Sequence, residues 1–520
     1  MHPSAARNHR FGAHFAQVGA IALVVVVYVL LAAGAQAQGF HNGVEDALGP
    51  LYRDNPYAQR AESRRSRHDA TPRAMVRHWN EVAIDASGLD HTPVANGELR
   101  VFGEQLGPAR ASRAMAIVHI AMFDAVNAIS GHYRRYTGLP AAARNTSMEA
   151  AIAQAAHDTL SVLFPSQKAA FDAELARELD TVNDGQPKER GIDLGRRAAA
   201  AILSLRADDG SARAEPRVGI EFITSTEPGK WRQDPISRIP IALGAYWDEV
   251  KPFVMARSTQ FRVPPPPALD SAEYARAFAE VKALGGDGVV TPTRRTAEQT
   301  EIGLFWAYDG TPSLCAPPRL YNQITMQIAD QMGSDVFELT RLLALVNTAM
   351  ADAGIAVWES KYYYEFWRPI TGIREANAEP ALSLASDARR ATPADPAFRP
   401  LGAPASNLTG PNFTPPFPAY PSGHAGFGGA LFQVLRRFYG HDHIAFTFVS
   451  DEFNGVTLDN EGNVRPLTPR HFRSLSEAEE ENGQSRIYLG IHWRFDKTEG
   501  IAQGRRVADH VFNHAFLPVH

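Results

Sequence analysis

Disulfide partners, a strong net charge and repeated long apolar runs are all missing from this chain of 520 residues. Its single cysteine, Cys315, has no second cysteine to pair with, so the fold must be stable without an intramolecular disulfide. The formal net charge is -5 with 21% charged residues, which provides no basic surplus for a polyanion and excludes nucleic acid as an expected partner. Hydrophobic residues make up 44% of the chain, enough for a substantial core.

One long apolar run does occur, near the N-terminus. Arg7 and Arg10 precede Val18–Ala35, and the run leads into Ala35-Gln36-Ala37, a small-residue pattern typical of a signal-peptide cleavage site. We therefore expect residues 1–37 to be a bacterial-style signal peptide and the mature protein to be secreted or periplasmic, without membrane contact after cleavage. The run also reaches the minimum of about 17 residues for a spanning helix, so an uncleaved membrane anchor is the alternative.

Helical periodicity dominates the rest of the chain. A polar lead-in at residues 38–72 is predicted to be poorly ordered or to lie along the surface. Apolar residues then recur at three- and four-residue spacing from Met75 to Arg206, and a connection rich in Gly and Pro follows at residues 208–269. We expect an all-α fold of two helical bundles, an N-terminal bundle at residues 73–267 that includes this connection and a C-terminal bundle at residues 268–520.

Two helices of the C-terminal half begin with capping signals. Asp270 with Glu273, and Asp335 with Glu338, place an acidic N-cap three residues before a glutamate that can reach back to it. No run shows sustained strand alternation, so we predict almost no β-structure. The proline-rich stretch at residues 377–420 is predicted to be a long ordered loop, and such loops are often functional.

Residues with chemical potential concentrate in three segments, the first of which is KYYYEFWRP at Lys361–Pro369. The helix that starts near Asp335 has an apolar stripe that continues into Lys361 and Arg368, which are seven residues apart and would share one helix face before a proline stops the helix. Cations on a buried stripe need an anionic partner. That partner is either a bound anion or Glu365, in a purely structural salt bridge.

The second segment, PSGH at Pro421–His424, precedes a helix of small residues. Free backbone N–H groups and the positive end of the helix dipole collect at a helix start, so the turn can bind an oxyanion through Ser422 and the Gly423 N–H. In the alternative interpretation, Ser422 is an ordinary N-cap and His424 a first-turn histidine without a chemical role.

The third segment is SRIYLGIHWRFD at Ser485–Asp496. Spacings of seven and four put Ser485, His492 and Asp496 close to one helix face, and Asp496 can orient the His492 imidazole. Arg486 lies about one hundred degrees away but is long enough to reach round. Together the segments provide a lysine, two arginines, a Ser-Gly pair and two histidines, a cage suited to a tetrahedral oxyanion such as phosphate or vanadate.

The ordered set K-x6-R-P, P-S-G-H and S-R-x5-H-x3-D resembles the signature shared by vanadium-dependent haloperoxidases and acid phosphatases of the phosphatidic-acid-phosphatase type. The likeness is strongest from about residue 297 to residue 500, is fainter back to residue 75, and implies the helical fold of that superfamily. The segments similar to fungal-type vanadium chloroperoxidases are FWAYDG at Phe305–Gly310, PPRLYNQI at Pro317–Ile324, YEFWRP at Tyr364–Pro369 and PPFPAYPSGHAGFGGA at Pro415–Ala430.

The resemblance implies a role for each residue of the cage. His492 would be the axial nitrogen ligand of vanadium, His424 the acid-base residue, and Asp309 the aspartate that pairs with a cage arginine. Lys361 would also polarise the bound peroxide by hydrogen bonding. The groups implied to bind the vanadate oxygens are those of Lys361, Arg368, Ser422, Gly423 and Arg486.

Trp358 and Phe417 match the aromatic lining beside the halide position in that family. Phenylalanine at the Phe417 position is typical of chloride-oxidising fungal members and histidine of algal bromoperoxidases, so the resemblance favours a chloride-competent type. Two features depart from the fungal pattern. Gly426 stands where that pattern usually has threonine, next to the acid-base region, and the shorter stretch between Tyr439 and Glu481 bears on access to the site.

The implied function is a vanadate-dependent haloperoxidase that oxidises chloride or bromide with hydrogen peroxide to hypohalous acid, with vanadate as cofactor. The alternative is an acid phosphatase that hydrolyses phosphate monoesters, in which His492 attacks phosphorus and His424 protonates the leaving alcohol. A dry wall of Trp358 and Phe417 suits a halide better than a phosphate ester, which favours the peroxidase. A non-catalytic oxyanion binder would need neither His424 nor a route for peroxide.

Overall fold

The computed structural model describes residues 43–58, 71–376 and 392–519. In this part of the chain helices dominate, and strands form two short antiparallel pairs. The predicted fold class, all-α, is therefore confirmed. The predicted signal peptide and residues 377–391 of the predicted loop lie outside the described residues.

Helices make up most of both halves, which are joined by a long connection at residues 206–271. Those of the N-terminal half are α1 Val44–Leu48, α2 Pro72–Asp90, α3 Gly107–Ser130, α4 Met148–Leu163, α5 Lys168–Asp180 and α6 Gln186–Leu205. Those of the C-terminal half are α7 Ala272–Leu284, α8 Ala297–Phe305, α9 Pro317–Gln331, α10 Val336–Tyr364, α11 Pro369–Arg374, α12 Gly423–Tyr439, α13 Leu475–Tyr488 and α14 Arg494–His514. The strands are β1 Arg53–Asp54, β2 Leu408–Thr409, β3 Phe446–Asn454 and β4 Leu467–Phe472.

Side-chain caps start two helices of the C-terminal half. The Asp335 carboxylate accepts from the Glu338 N–H at 2.9 Å, and the Glu338 carboxylate accepts from the Asp335 N–H at 3.1 Å, which confirms the predicted capping box. The predicted cap at Asp270 is wrong by one residue. Ser271 is the N-cap of α7, and its hydroxyl accepts from the Tyr274 N–H at 3.1 Å.

α10 is the central helix of the fold, and it packs against α3, α12 and α14. The largest hydrophobic cluster combines side chains of both halves, among them Ile117, Leu343, Leu431 and Val507. α3 and α10 are long and apolar enough to cross a membrane, but their apolar stretches are 94% and 100% buried inside the protein, as in core helices of a folded domain. The shared core therefore holds α10 in place at its last turn, which carries Lys361.

A β-hairpin in the C-terminal half shows the strand alternation that the sequence was not expected to contain. β3 and β4 are antiparallel, with Phe446 opposite Phe472 and a change of register after Val449. Phe446 and Phe448 are buried, whereas Val449 is exposed. Because the outward position is occupied by an apolar valine, the period of two is hidden in the sequence although it is present in the burial pattern.

The described part of the lead-in, residues 43–58, is an arm packed on the fold rather than a poorly ordered segment. Ala47 and Tyr52 are fully buried, and the Tyr52 hydroxyl donates to the Pro411 carbonyl at 3.0 Å. β1 pairs with β2 of the C-terminal half. The prediction of poor order is therefore wrong here, and the alternative of an arm along the surface describes this segment.

Candidate active site

The last turn of α10 places Lys361 in the protein interior, where its side chain is fully buried. Its Nζ donates to the carbonyl oxygens of Pro418 at 2.8 Å and Ala419 at 3.0 Å. An ammonium has three donors, so these two bonds leave a third N–H for a ligand. Burial, together with the charge of Arg368, lowers the pKa of Lys361 well below its ordinary value.

Arg368 lies close to Lys361, as predicted, but it belongs to a different structural element from the predicted one. α10 ends at Tyr364, Glu365 adopts a left-handed conformation with φ of 50°, and Arg368 is the N-cap of α11. The prediction that Lys361 and Arg368 share one helix face is therefore wrong, because the helix stops between them. Glu365 as their partner is also wrong, since its Oε2 lies 3.5 Å from Nζ of Lys230.

The Arg368 guanidinium is fixed by hydrogen bonds to two carbonyls and a histidine. Its Nε donates to the Phe417 oxygen at 2.9 Å, and its Nη1 donates to the Ile491 oxygen and to Nε2 of His492, both at 2.9 Å. Within the described residues its Nη2 has no hydrogen-bond partner. A buried N–H without a protein partner is a ready donor for a bound anion.

PSGH forms a helix start, as predicted. Ser422 is the N-cap of α12, and its hydroxyl accepts from the Ala425 N–H at a long 3.5 Å, which leaves its own proton available for another acceptor. Gly423 is the first residue of α12, where backbone N–H groups are free of helix partners. A Cβ at position 423 would lie 3.2 Å from Cη2 of Trp358, so glycine permits this close packing.

The third segment is not one helix, which corrects the predicted helix face. α13 ends at Tyr488, Gly490 is left-handed with φ of 73°, and α14 starts at Arg494, so His492 lies in the connection. The predicted contact with Asp496 is nevertheless present: Nδ1 of His492 is 2.8 Å from Oδ2 of Asp496. Burial and the neighbouring cations lower the pKa of His492 well below its ordinary value, so the imidazole is neutral.

Asp309 pairs with Arg486, as the resemblance implies. Nη2 of Arg486 donates to both carboxylate oxygens, at 2.6 Å and 2.8 Å, and both side chains are buried. The Nε and Nη1 atoms of Arg486 have no partner among the described residues. Asp309 therefore orients the guanidinium while its other donors stay free for a ligand.

His424 follows directly in the first turn of α12 and contacts the loop after α8. Its Nε2 is 2.6 Å from the Ala307 carbonyl oxygen, which can only accept, so Nε2 carries the proton and Nδ1 of the neutral ring is basic. Burial and the Arg486 charge lower the pKa of His424 well below its ordinary value. Each histidine of the cage thus has one ring nitrogen without a proton, Nε2 in His492 and Nδ1 in His424, which suits one for ligation and the other for proton transfer.

The predicted halide residues lie together beside these cations. The ring centres of Trp358 and Phe417 are 4.9 Å apart, and the Lys361 ammonium lies 5.0 Å from the Phe417 ring centre. Trp358 is held by a bond from its Nε1 to the Leu243 oxygen at 3.0 Å. A Cβ on Gly244 would lie 2.3 Å from the indole, and this supporting turn was missed because it sits in the Gly/Pro-rich connection.

A cavity with largely apolar walls opens onto the cage and has His424, Arg486 and His492 in its lining. Its further walls come from the arm, the N-terminal half, the proline-rich loop and α12. They include Leu48, His91, Leu106, Ile241, Phe413 and Phe427. No local motif marks these residues, since they meet only in the folded chain.

Comparison with known proteins agrees with this geometry. The family described as the VCPO second helical-bundle domain matches residues 341–519. Vanadium chloroperoxidase of Curvularia inaequalis is 32% identical over 499 residues, which cover 80% of this chain and 78% of that protein. This chain belongs to the vanadium-dependent haloperoxidase family.

Solved structures share the haloperoxidase fold. The crystal structure of the first bacterial vanadium-dependent iodoperoxidase aligns with a TM-score of 0.66 and 24% identity, over 88% of this chain and 99% of that chain. An apo-type bacterial vanadium-dependent chloroperoxidase aligns with a TM-score of 0.58 and 18% identity, over 78% of this chain and 94% of that chain. At these identities the likeness shows the fold.

Gly426 stands where the resemblance to the fungal pattern implies a threonine. A Cβ there would lie 2.6 Å from Cγ2 of Val357, a β-branched side chain on α10 that cannot rotate away. We predict that Gly426→Ala costs about 1–3 kcal/mol by overpacking, more than the roughly 1 kcal/mol that alanine gains in helix propensity.

Thermal unfolding of Gly426→Ala, Val357→Ala and the double variant checks this prediction. The new methyl group fits the space left by valine, so the double variant should be more stable than the sum of the single effects. Strict additivity would show that the two positions do not compete for space.

A second group of metal-binding residue types lies outside the haloperoxidase site. His78, Glu174 and Glu178 bring their ligand atoms within 4.8 Å of one another. Nε2 of His78 is 2.8 Å from Glu174 Oε1 and 3.7 Å from Glu178 Oε1, and Arg177 pairs with Glu174. These contacts join α2 to α5 within the N-terminal half.

Proposed function

We propose that this protein is a vanadate-dependent haloperoxidase that oxidises chloride or bromide with hydrogen peroxide to hypohalous acid. The observation that carries the proposal is the set of buried donors, Nη2 of Arg368 with Nε and Nη1 of Arg486, which lack partners in the described part of the chain. Such donors need an anion to offset their burial. Membership of the haloperoxidase family supports vanadate as that anion.

The chemistry of the donor set fits vanadate. The oxygens would be held by Lys361, Arg368, Ser422, the Gly423 N–H and Arg486, and the metal by Nε2 of His492. When bound, vanadate supplies a Lewis acid that activates hydrogen peroxide without a change of metal oxidation state.

In the proposed reaction, the protein moves protons and orients charge. The O–O bond of peroxide breaks, one oxygen leaves with the oxidised halide as hypohalous acid, and the other leaves as water after taking up protons. His424 accepts a proton from peroxide at Nδ1, since its Nε2 is engaged by Ala307. Lys361 donates its third N–H to the peroxide oxygen, and Asp309 holds Arg486 in position.

One experiment separates this function from its phosphatase alternative. The purified protein is titrated with vanadate and assayed for peroxide-dependent halogenation of an indicator dye, with nitrophenyl phosphate hydrolysis in parallel. We expect vanadate-dependent halogenation, and a rise in melting temperature as vanadate fills the cage, because a ligand that binds only the folded state stabilises it. Hydrolysis without halogenation would replace the proposal by the phosphatase, and no oxyanion binding would reject both.

The halide preference is proposed from Phe417 and its partner Trp358. Phe417→His should lower kcat/KM for chloride about tenfold and for bromide less than about threefold, because a polar ring admits water to a dry wall and chloride is the harder halide to oxidise. Phe413→His, in the same cavity, is the matched control and should leave the chloride-to-bromide ratio unchanged. An unchanged ratio in Phe417→His would remove this residue from the halide site.

We also propose that the protein is exported, on the basis of its N-terminal sequence. Arg7, Arg10 and the apolar run before Ala35-Gln36-Ala37 support a cleaved signal peptide. Mass spectrometry of the protein expressed with its native N-terminus should find a chain that begins at Gln38. A chain that retains residues 1–37 and sediments with membranes would favour the anchor.

A further inference from the structure

The loop after α8 supplies two partners of the cage. The Ala307 oxygen accepts from His424, and Asp309 accepts from Arg486. Between them, Tyr308 has a left-handed backbone with φ of 45°, which is unfavourable for a residue other than glycine. Such a backbone persists only where its surroundings fix it.

β3 makes hydrogen bonds that fix this loop at three successive strand residues. The Ser450 hydroxyl donates to the Phe305 oxygen at 2.6 Å, and the Asp451 N–H donates to the Tyr308 hydroxyl at 2.6 Å. The Tyr308 N–H donates to Oε1 of Glu452 at 3.3 Å. The last of these bonds acts on the left-handed residue itself.

Glu452 is itself held in a closed network. Its side chain is fully buried, its Oε2 accepts from the Ser406 hydroxyl at 2.6 Å, and it pairs with Arg465. Nη1 of Arg465 also donates to the Ser406 hydroxyl at 2.7 Å. With both oxygens engaged, the carboxylate cannot swing away from Tyr308.

We infer that Glu452 is a positioning residue for the active site. It holds the backbone at Tyr308, and through it the Ala307 oxygen and Asp309, in the places where they orient His424 and Arg486. As a statement about catalysis, the inference rests on the proposed function.

Glu452→Gln is the variant that tests the inference. A glutamine keeps the volume, but it has one acceptor oxygen, so either Tyr308 or the Ser406–Arg465 pair meets an amide N–H instead. We expect kcat at saturating vanadate, peroxide and halide to fall about tenfold, because His424 and Arg486 are held less accurately in position. KM for halide should stay within about twofold of wild type. The affinity for vanadate should fall about fivefold through Arg486, measured by isothermal titration. Glu452→Ala should lower kcat further.

Phe446→Leu is the matched control. Phe446 lies at the other end of β3 and packs on Phe472, so its loss weakens the same hairpin without removing a bond to the loop. It should lower the melting temperature and leave kcat unchanged at temperatures below unfolding. If Glu452→Gln lowers the melting temperature but keeps kcat and vanadate affinity within twofold of wild type, the residue is structural only and the inference is wrong. Should the wild-type protein oxidise no halide, the proposed function fails, and vanadate affinity alone decides the inference.

Discussion

Replacing His492 with alanine is expected to abolish vanadate-dependent halide oxidation and to lower vanadate affinity by more than about 100-fold. Loss of a partner outside the ligand shell already costs about 10–100-fold in metal affinity, and the proposed function assigns His492 as the metal ligand itself. Isothermal titration with vanadate and the halogenation assay measure the two effects.

The hydrogen bonds around His492 determine which ring nitrogen is the ligand. Oδ2 of Asp496 is 2.8 Å from Nδ1 and also accepts from the Trp493 N–H at 2.9 Å, so it is anchored as an acceptor and Nδ1 carries the proton. Nε2 then keeps its lone pair, which at present accepts from Arg368. The lone pair faces the cage cations, where a metal would be held.

Two further variants distinguish the loss of a metal ligand from a general loss of folded protein. Asp496→Asn should weaken vanadate binding about 10–100-fold, because the imidazole loses the negative partner that orients it. His443→Ala removes an exposed histidine of the same half and should leave affinity and turnover unchanged. If the His492→Ala protein kept full vanadate-dependent activity, His492 would not be the metal ligand.

The identity of the cage residues could be predicted from the sequence, whereas their geometry could not. Lys361 and Arg368 meet as expected, but a left-handed residue between them ends the helix, and the sequence gives no sign that Glu365 would adopt that backbone. Gly490 breaks the third segment in the same way. In both places the prediction assumed that helical spacing continues, whereas a left-handed residue ends it.

The contacts that no sequence pattern indicates join residues far apart in the chain. Lys361 is held by carbonyls of Pro418 and Ala419, and backbone oxygens carry no sequence signal. The hairpin was missed because Val449 occupies an outward position and masks the alternation. The contact from Glu452 to Tyr308 joins residues far apart in the chain, and it exists only because the hairpin forms. Local sequence patterns therefore identify the catalytic side chains. The loops that orient these side chains depend on tertiary packing and cannot be predicted from local patterns.

Replacing His424 with alanine is expected to abolish turnover while vanadate still binds, in contrast to His492→Ala, which should lose both. His424 is placed for proton transfer, since Nε2 is fixed by the Ala307 oxygen and Nδ1 is free to accept a proton. General acid–base groups contribute about 10²–10⁴-fold to rate, so kcat should fall by that factor. The oxygen-binding donors belong to other residues, so vanadate affinity should stay within about tenfold of wild type.

A buried histidine outside the site provides the matched control for His424→Ala. His119 is 1% exposed and bonds to Met115 and Asn80 within the N-terminal half. His119→Ala should cost stability, seen as a lower melting temperature, while kcat at temperatures below unfolding stays at the wild-type value. A His424→Ala protein that loses vanadate binding together with activity would make His424 part of the oxyanion site itself. Retained turnover would mean that a group other than His424 accepts the proton of peroxide.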